Sequence, residues 1–202
     1  MNNNARGRIV DTETNEELLL DVVTTSQLVK VERDELGNEY KEYIVDSFMV
    51  SEETSQENEP MVGILNSYVD GKNEWDNSYS VYGRSSFTIR ERLVNTKPHY
   101  YLTRVEGSWS IQDSQIRISN QRIRYGQEGF VSGGYRDRLV GSSNIIGTTF
   151  GFNLTASSWS TKAVQIDNLY TIGMYMYCRV TNSSTGRSWD FHLDNWRGDS
   201  RL

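Results

Sequence analysis

The chain has 202 residues, 36% hydrophobic, 24% charged and 11% aromatic, with 16 Gly, 2 Pro and a single Cys. That composition excludes disordered, collagen-like and disulfide-built classes, and the length suffices for one core without a metal or disulfide to hold it. The net charge of −6 is unevenly placed. Residues 1–60 hold 5 Lys+Arg against 15 Asp+Glu, a net of −10, and the remainder hold 16 against 12, a net of +4.

A surplus of +4 over the rest of the chain forms no clear Lys/Arg stripe, which argues against a nucleic-acid partner. No apolar run reaches the roughly 18 residues that a membrane-spanning helix requires. The opening Met1, Asn2, Asn3 and Asn4 has neither the basic nor the apolar segment of an export signal. The chain is then either cytosolic, or exported with its signal peptide removed and Met1 to Asn4 added in its place.

Apolar residues alternate with period two almost throughout, and helical spacing is not sustained beyond two turns, so an all-β protein is expected. Residues 27–33 and 39–45 flank Asp34, Glu35, Leu36, Gly37 and Asn38, and they read as a hairpin. Residues 51–60 are polar, acidic and without periodicity, which reads as a linker. An acidic arm over 1–60 would therefore precede a main domain over 61–202. Within that domain, strands are expected at 79–82 and 86–93, then a turn at 95–99, then a strand at 100–111. A strand at 115–125 is followed by a turn at 126–129 and a strand at 130–140 around Gly133 and Gly134. Strands at 144–154, 163–169, 171–181 and 188–194 complete it. The expected architecture is an antiparallel β-sandwich of jelly-roll or immunoglobulin-like type.

Parity refines this picture. Ile116 and Ile118 share one face while Ile123 and Tyr125 fall on the other, so a bulge near Ser119, Asn120 and Gln121 would bring all four inward and turn Arg117, Arg122 and Arg124 outward. Along 172–180, Ile172, Met174, Met176, Cys178 and Val180 face one way, and Tyr175, Tyr177 and Arg179 the other. In the last strand Trp189, Phe191 and Leu193 point inward, and Asp190, His192 and Asp194 share the opposite face.

Chemistry-bearing groups are sparse. Only His99 and His192 are available for nucleophilic catalysis, and neither lies in a nucleophile motif. His99, beside Pro98 in a turn, is expected at the surface, and Asp190, His192 and Asp194 on a solvated strand face. Cys178 is expected to be a buried, inert thiol. The loop of Asp70, Gly71, Lys72, Asn73, Glu74, Trp75 and Asp76 offers oxygen ligands but lacks the spacing of an EF-hand. Glu91 shares the parity of Phe87, Ile89 and Leu93; pointing inward, it would need a raised pKa or an Arg partner. No metal site and no cofactor are expected.

Twenty of the 23 aromatic residues follow residue 60. Trp75, Trp159, Tyr175, Tyr177 and Trp196 sit at turns or on outward parity, and they form the expected ligand-binding set. The segments Tyr100-Tyr101-Leu102-Thr103-Arg104-Val105-Glu106-Gly107-Ser108-Trp109, Asp113-Ser114-Gln115-Ile116-Arg117-Ile118-Ser119-Asn120 and Tyr125-Gly126-Gln127-Glu128-Gly129 resemble small secreted β-rich proteins of Gram-positive gut bacteria. The resemblance covers about the second half of the chain. It implies export and a role at or outside the cell surface, and it assigns no functional residue.

The reading that follows is an exported, non-catalytic binding protein recognising a glycan or a protein through exposed aromatic and Arg side chains. The alternatives are a polysaccharide hydrolase using two carboxylates and an assembly protein joined through sheet edges.

Overall fold

The structure is a computed structural model, and it describes residues 5–49, 81–165 and 170–198. It is nearly all β, in two antiparallel sheets. Its strands are β1 (Arg6–Asp11), β2 (Glu17–Leu20), β3 (Val22–Arg33), β4 (Glu39–Met49), β5 (Val81–Val94), β6 (Lys97–Ile111), β7 (Ile116–Phe130), β8 (Arg136–Asn144), β9 (Thr149–Asn153), β10 (Val164–Gln165), β11 (Thr171–Asn182) and β12 (Ser188–Gly198), with one short helix, α1 (Ser157–Thr161). The first sheet runs β2-β1-β12-β11-β7-β8. The second runs β10-β6-β5-β4-β3, with β9 also paired to β6.

The alternation that signals strands also builds the core. Met174, Met176, Cys178 and Val180 of β11 and Phe191 and Leu193 of β12 are fully enclosed, as are Val45, Phe87, Ile89, Leu102 and Val105 of the second sheet. Each such side chain contributes about 1.5–3 kcal/mol of burial, which is what holds two twisted sheets face to face. Asn195 ties the layers directly: its Nδ2 donates to the carbonyls of Ser85 at 3.2 Å and Val45 at 3.4 Å.

The hairpin expected at 27–45 is present as β3 and β4, closed by Asp34, whose Oδ1 accepts from the backbone N–H of Leu36 and Asn38. It pairs with β5 through β4, and β1 pairs with β12, so the described residues before position 50 supply strands to both sheets. The expected linker at 51–60 and the loop at 70–76 lie outside the described residues.

The bulge in β7 falls where parity places it. Tyr177 pairs with Arg122 and Arg179 with Ser119, so one residue of β11 faces two of β7, and Asn120 takes a positive φ of 53°. Ile116 and Ile123 are buried, and Arg117, Arg122 and Arg124 are exposed.

Other boundaries differ. The turn expected at 126–129 is strand: β7 runs on to Phe130, and the reversal comes at 131–135, where Gly134 takes φ 76°. The strand expected at 144–154 is split, its first residue ending β8 and its last part forming β9. His99 lies within β6 and is 3% exposed, its Nδ1 3.1 Å from the Lys97 carbonyl. Pro98 does not end the strand there, because Asn95 and Thr96, both at positive φ, already make a tight turn between β5 and β6.

Candidate functional site

The outer face of the first sheet gathers most of the polar side chains singled out by parity. Because β1, β12, β11 and β7 are in register, side chains on this face form rows across the strands. One row is Arg8, His192, Tyr177 and Arg122; the next along the strands is Arg6, Asp194, Tyr175 and Arg124. A third holds Val10, Asp190, Arg179 and Ser119.

Asp190 is the anchor. Arg179 donates to both its oxygens, from Nε at 2.9 Å and from Nη2 at 3.1 Å, and the Tyr177 hydroxyl donates to Oδ1 at 2.8 Å. Burial alone would raise this carboxyl, but the hydrogen bonds from Arg179 and Tyr177 outweigh it and hold it below the ordinary carboxylate value. The ring of Tyr177 is thereby fixed, edge-on to the His192 imidazole at 5.2 Å between centroids, with the Arg122 guanidinium 5.8 Å from its centroid. Tyr175 shares a 2.8 Å hydrogen bond with His192 Nδ1. Burial, and then the charge of Asp194, push the Tyr175 hydroxyl up to about 12.

The result is a strip of three rings flanked by arginines on both sides. Arg6 and Arg8 stand on β1, and Arg122 and Arg124 on β7, three strand spacings or about 14 Å apart.

The expected binding set divides. Tyr175 and Tyr177 are together on this face, as their parity implies, and are half-buried rather than exposed. Trp196 has the expected outward parity but is 2% exposed, and Trp159 is 8% exposed within α1, packed on Tyr125 at 5.8 Å. The exposure expected of these two tryptophans therefore does not hold. Trp75 lies outside the described residues. Asp194, expected on a solvated face with Asp190 and His192, is buried.

Two other clusters exist. Glu91 points inward as its parity suggests, toward the Tyr43 hydroxyl at 3.5 Å and Lys41 Nζ at 3.8 Å, with Tyr100 also hydrogen-bonded to it. Burial and then Glu91 push the Tyr100 hydroxyl well up, while burial lowers nearby Arg197. This cluster is closed by its own partners and reads as a structural plug at one end of the sandwich. On the outer face of the second sheet, a polar groove of about 250 Å³ is lined by Arg84, Ser86, Glu106, Ser108 and Thr149, with Gly107 and Phe150. Its charged groups are already engaged, Arg84 by Asp46 and Glu106 by Arg104.

Among the described residues, no three His, Cys, Asp or Glu side chains are grouped to hold a metal, and no helix is long and apolar enough to cross a membrane. Cys178 is enclosed, and burial pushes its thiol up, away from the reactive thiolate.

The fold and this face together define an all-β, two-sheet protein with an aromatic and arginine-rich outer surface. No protein-family model matches the chain, and neither does any curated protein or solved structure.

Proposed function

We propose that this is an exported, non-catalytic binding protein whose ligand is a glycan laid on the outer face of the first sheet. The observation that carries the reading is the fixed strip of Tyr175, Tyr177 and His192 between two pairs of arginines. Sugars offer C–H faces to aromatic rings and hydroxyls to fixed donors and acceptors, and a ring held by its own hydrogen bond loses little freedom on binding. The same residue types anchor protein interfaces. The glycan is favoured because, among the described residues, the exposed large hydrophobics on the strands of this sheet lie on its edge strands, Leu18 and Leu19 on β2 and Val140 on β8, and not at its centre. A protein interface would want an apolar core at its centre. Export rests on the resemblance to secreted β-rich proteins. Hydrolysis by a raised carboxyl group is a poor fit to this face, since three donor groups hold Asp190 low.

A glycan array probed with the native protein, Tyr177→Ala and Tyr175→Ala tests it. The expected result is a defined set of glycans bound by the native protein and lost in at least one variant whose thermal unfolding still shows a cooperative native state. No glycan bound, together with capture of a protein ligand that Tyr177→Ala abolishes, would replace the glycan with a protein.

A further inference from the structure

The charge on this face is lopsided in a way that names the ligand's chemistry. Three of its carboxylates, among the described residues, are already paired. Asp190 is chelated by Arg179, Glu17 lies 3.5 Å from Arg8, and Glu128 on the same face of β7 is held by Arg136 and Arg138 of β8. Asp194 is buried beneath the surface. Arg6, Arg122 and Arg124, by contrast, are exposed, and none has a carboxylate within ion-pair distance among the described residues. A chain of net charge −6 thus keeps an outward cationic fence beside its aromatic strip.

Three features turn that excess into a site. Arg122 and Arg124 are two residues apart on one strand, about 7 Å, and both point outward, so they meet two successive groups of an extended chain. Arg122 lies over the Tyr177 ring, which restrains its guanidinium without neutralising it. Guanidinium also matches carboxylate and sulfate in a two-pronged geometry that a hydroxyl does not offer.

We infer that the ligand is an acidic glycan, its rings over Tyr175, Tyr177 and His192 and its carboxylate or sulfate groups on Arg122 and Arg124. This rests on the glycan reading above and adds the charge class.

The test compares polygalacturonate with its fully methyl-esterified form, which keeps the rings and removes the charge, against the native protein, Arg122→Gln/Arg124→Gln and Tyr177→Ala. The native protein should bind polygalacturonate at least tenfold more tightly than the ester, and binding should weaken steeply between 50 mM and 500 mM salt, as screening shortens. The double Arg variant should lose that preference while keeping the native melting temperature, because both side chains are exposed. Equal binding of the two polymers, abolished by Tyr177→Ala, would overturn the acidic assignment and leave the glycan reading standing. Polyglutamate or an oligonucleotide bound as tightly as polygalacturonate would overturn the glycan and leave only an anion site. Binding of neither polymer, with other acidic and neutral glycans equally silent, would overturn both.

Discussion

Asp190 shows how much one carboxylate organises. Without it, Arg179 loses two hydrogen bonds and Tyr177 one, and the ring that Arg122 overlies is released to rotate. Its folded pKa is depressed, so the stability it contributes is fully present above the unfolded value of about 4 and is lost as pH falls through the lower folded value. Asp11 behaves alike: backbone N–H groups of Thr14 and Glu13 hydrogen-bond its carboxylate and, with Arg187, lower its pKa against the effect of burial. Asp190→Asn should cost about 1 kcal/mol at pH 7, since the pair is partly solvated, and the difference from the native protein should shrink as pH falls below the unfolded value of about 4. Urea unfolding at pH 7, 5 and 3 checks this; a difference that persists unchanged at pH 3 would mean that the amide disturbs packing rather than charge.

The same scale shows what parity can deliver. Alternation along 172–180 and 188–194 was enough to put Tyr175, Tyr177, Arg179, Asp190 and His192 on one face, because a strand's side-chain period is fixed. It was not enough for Trp196 or Asp194, since parity gives a direction and says nothing about cover. His99 and Trp159 were misplaced for a related reason. Turn-like neighbours, Pro98 in one case and Ser157 and Ser158 in the other, describe the local chain, while the burial of each ring is decided by strands distant in sequence.

At the scale of elements, β7 carries the sharpest contrast. Its bulge was legible from four apolar residues out of phase. Its second half was not: Gly126, Gln127, Glu128 and Gly129 have the chemistry of a turn, yet they continue the strand. Gly129 serves close packing here, with a Cβ at that position coming within 3.1 Å of Val164 and Tyr170. Gln127, wholly buried between the two glycines, is a connector. Its Oε1 accepts from the Leu102 N–H of β6 at 2.9 Å, and its Nε2 donates to the carbonyls of Trp159 at 2.9 Å and Lys162 at 2.8 Å. Both sheets and α1 therefore meet at one amide. Gln127→Leu keeps much of the volume and strands one donor and two acceptors in the interior, where each such group costs about 1–3 kcal/mol. Allowing for some rescue by water, the variant should be destabilised by about 3 kcal/mol, read as a lower urea midpoint. Gln127→Glu, which keeps the acceptor and loses the donor, should also be destabilised, most strongly at pH 7, where an ionised carboxylate would face two carbonyls. A Leu variant as stable as the native protein would remove Gln127 from this role.

The whole molecule is closed by its ends. β1 near the start pairs along its full length with β12 near the finish, Ile9 opposite Phe191 and Asp11 opposite Trp189. This strand left little trace in the sequence, because its inward residues are Gly7, Ile9 and Asp11, of which only Ile9 is a large apolar side chain. The charge boundary near residue 60 was legible, yet the strands before it join both sheets, so removing residues 1–60 would delete β1 to β4 and report on folding rather than assembly. A narrower cut is informative. Deleting residues 1–15 removes β1 alone, takes Ile9 from the core and leaves β12 as a bare edge beside a β2 without its partner. Ile9 contributes about 1.5–3 kcal/mol of burial, and the lost ladder and the Asp11 hydrogen bonds add to it, so the cost should exceed 3 kcal/mol, a large part of an ordinary domain's stability. The uncovered edge should also pair with other copies, appearing as higher-order species in light scattering. Ile9→Ala, which keeps the ladder, separates the two effects: it should lower the urea midpoint by about 2–4 kcal/mol equivalent without promoting association. If the deletion leaves both the midpoint and the monomer fraction unchanged, β1 does not hold β12 in place, and the candidate binding face would then have to be built without the support of its Arg6 and Arg8 flank.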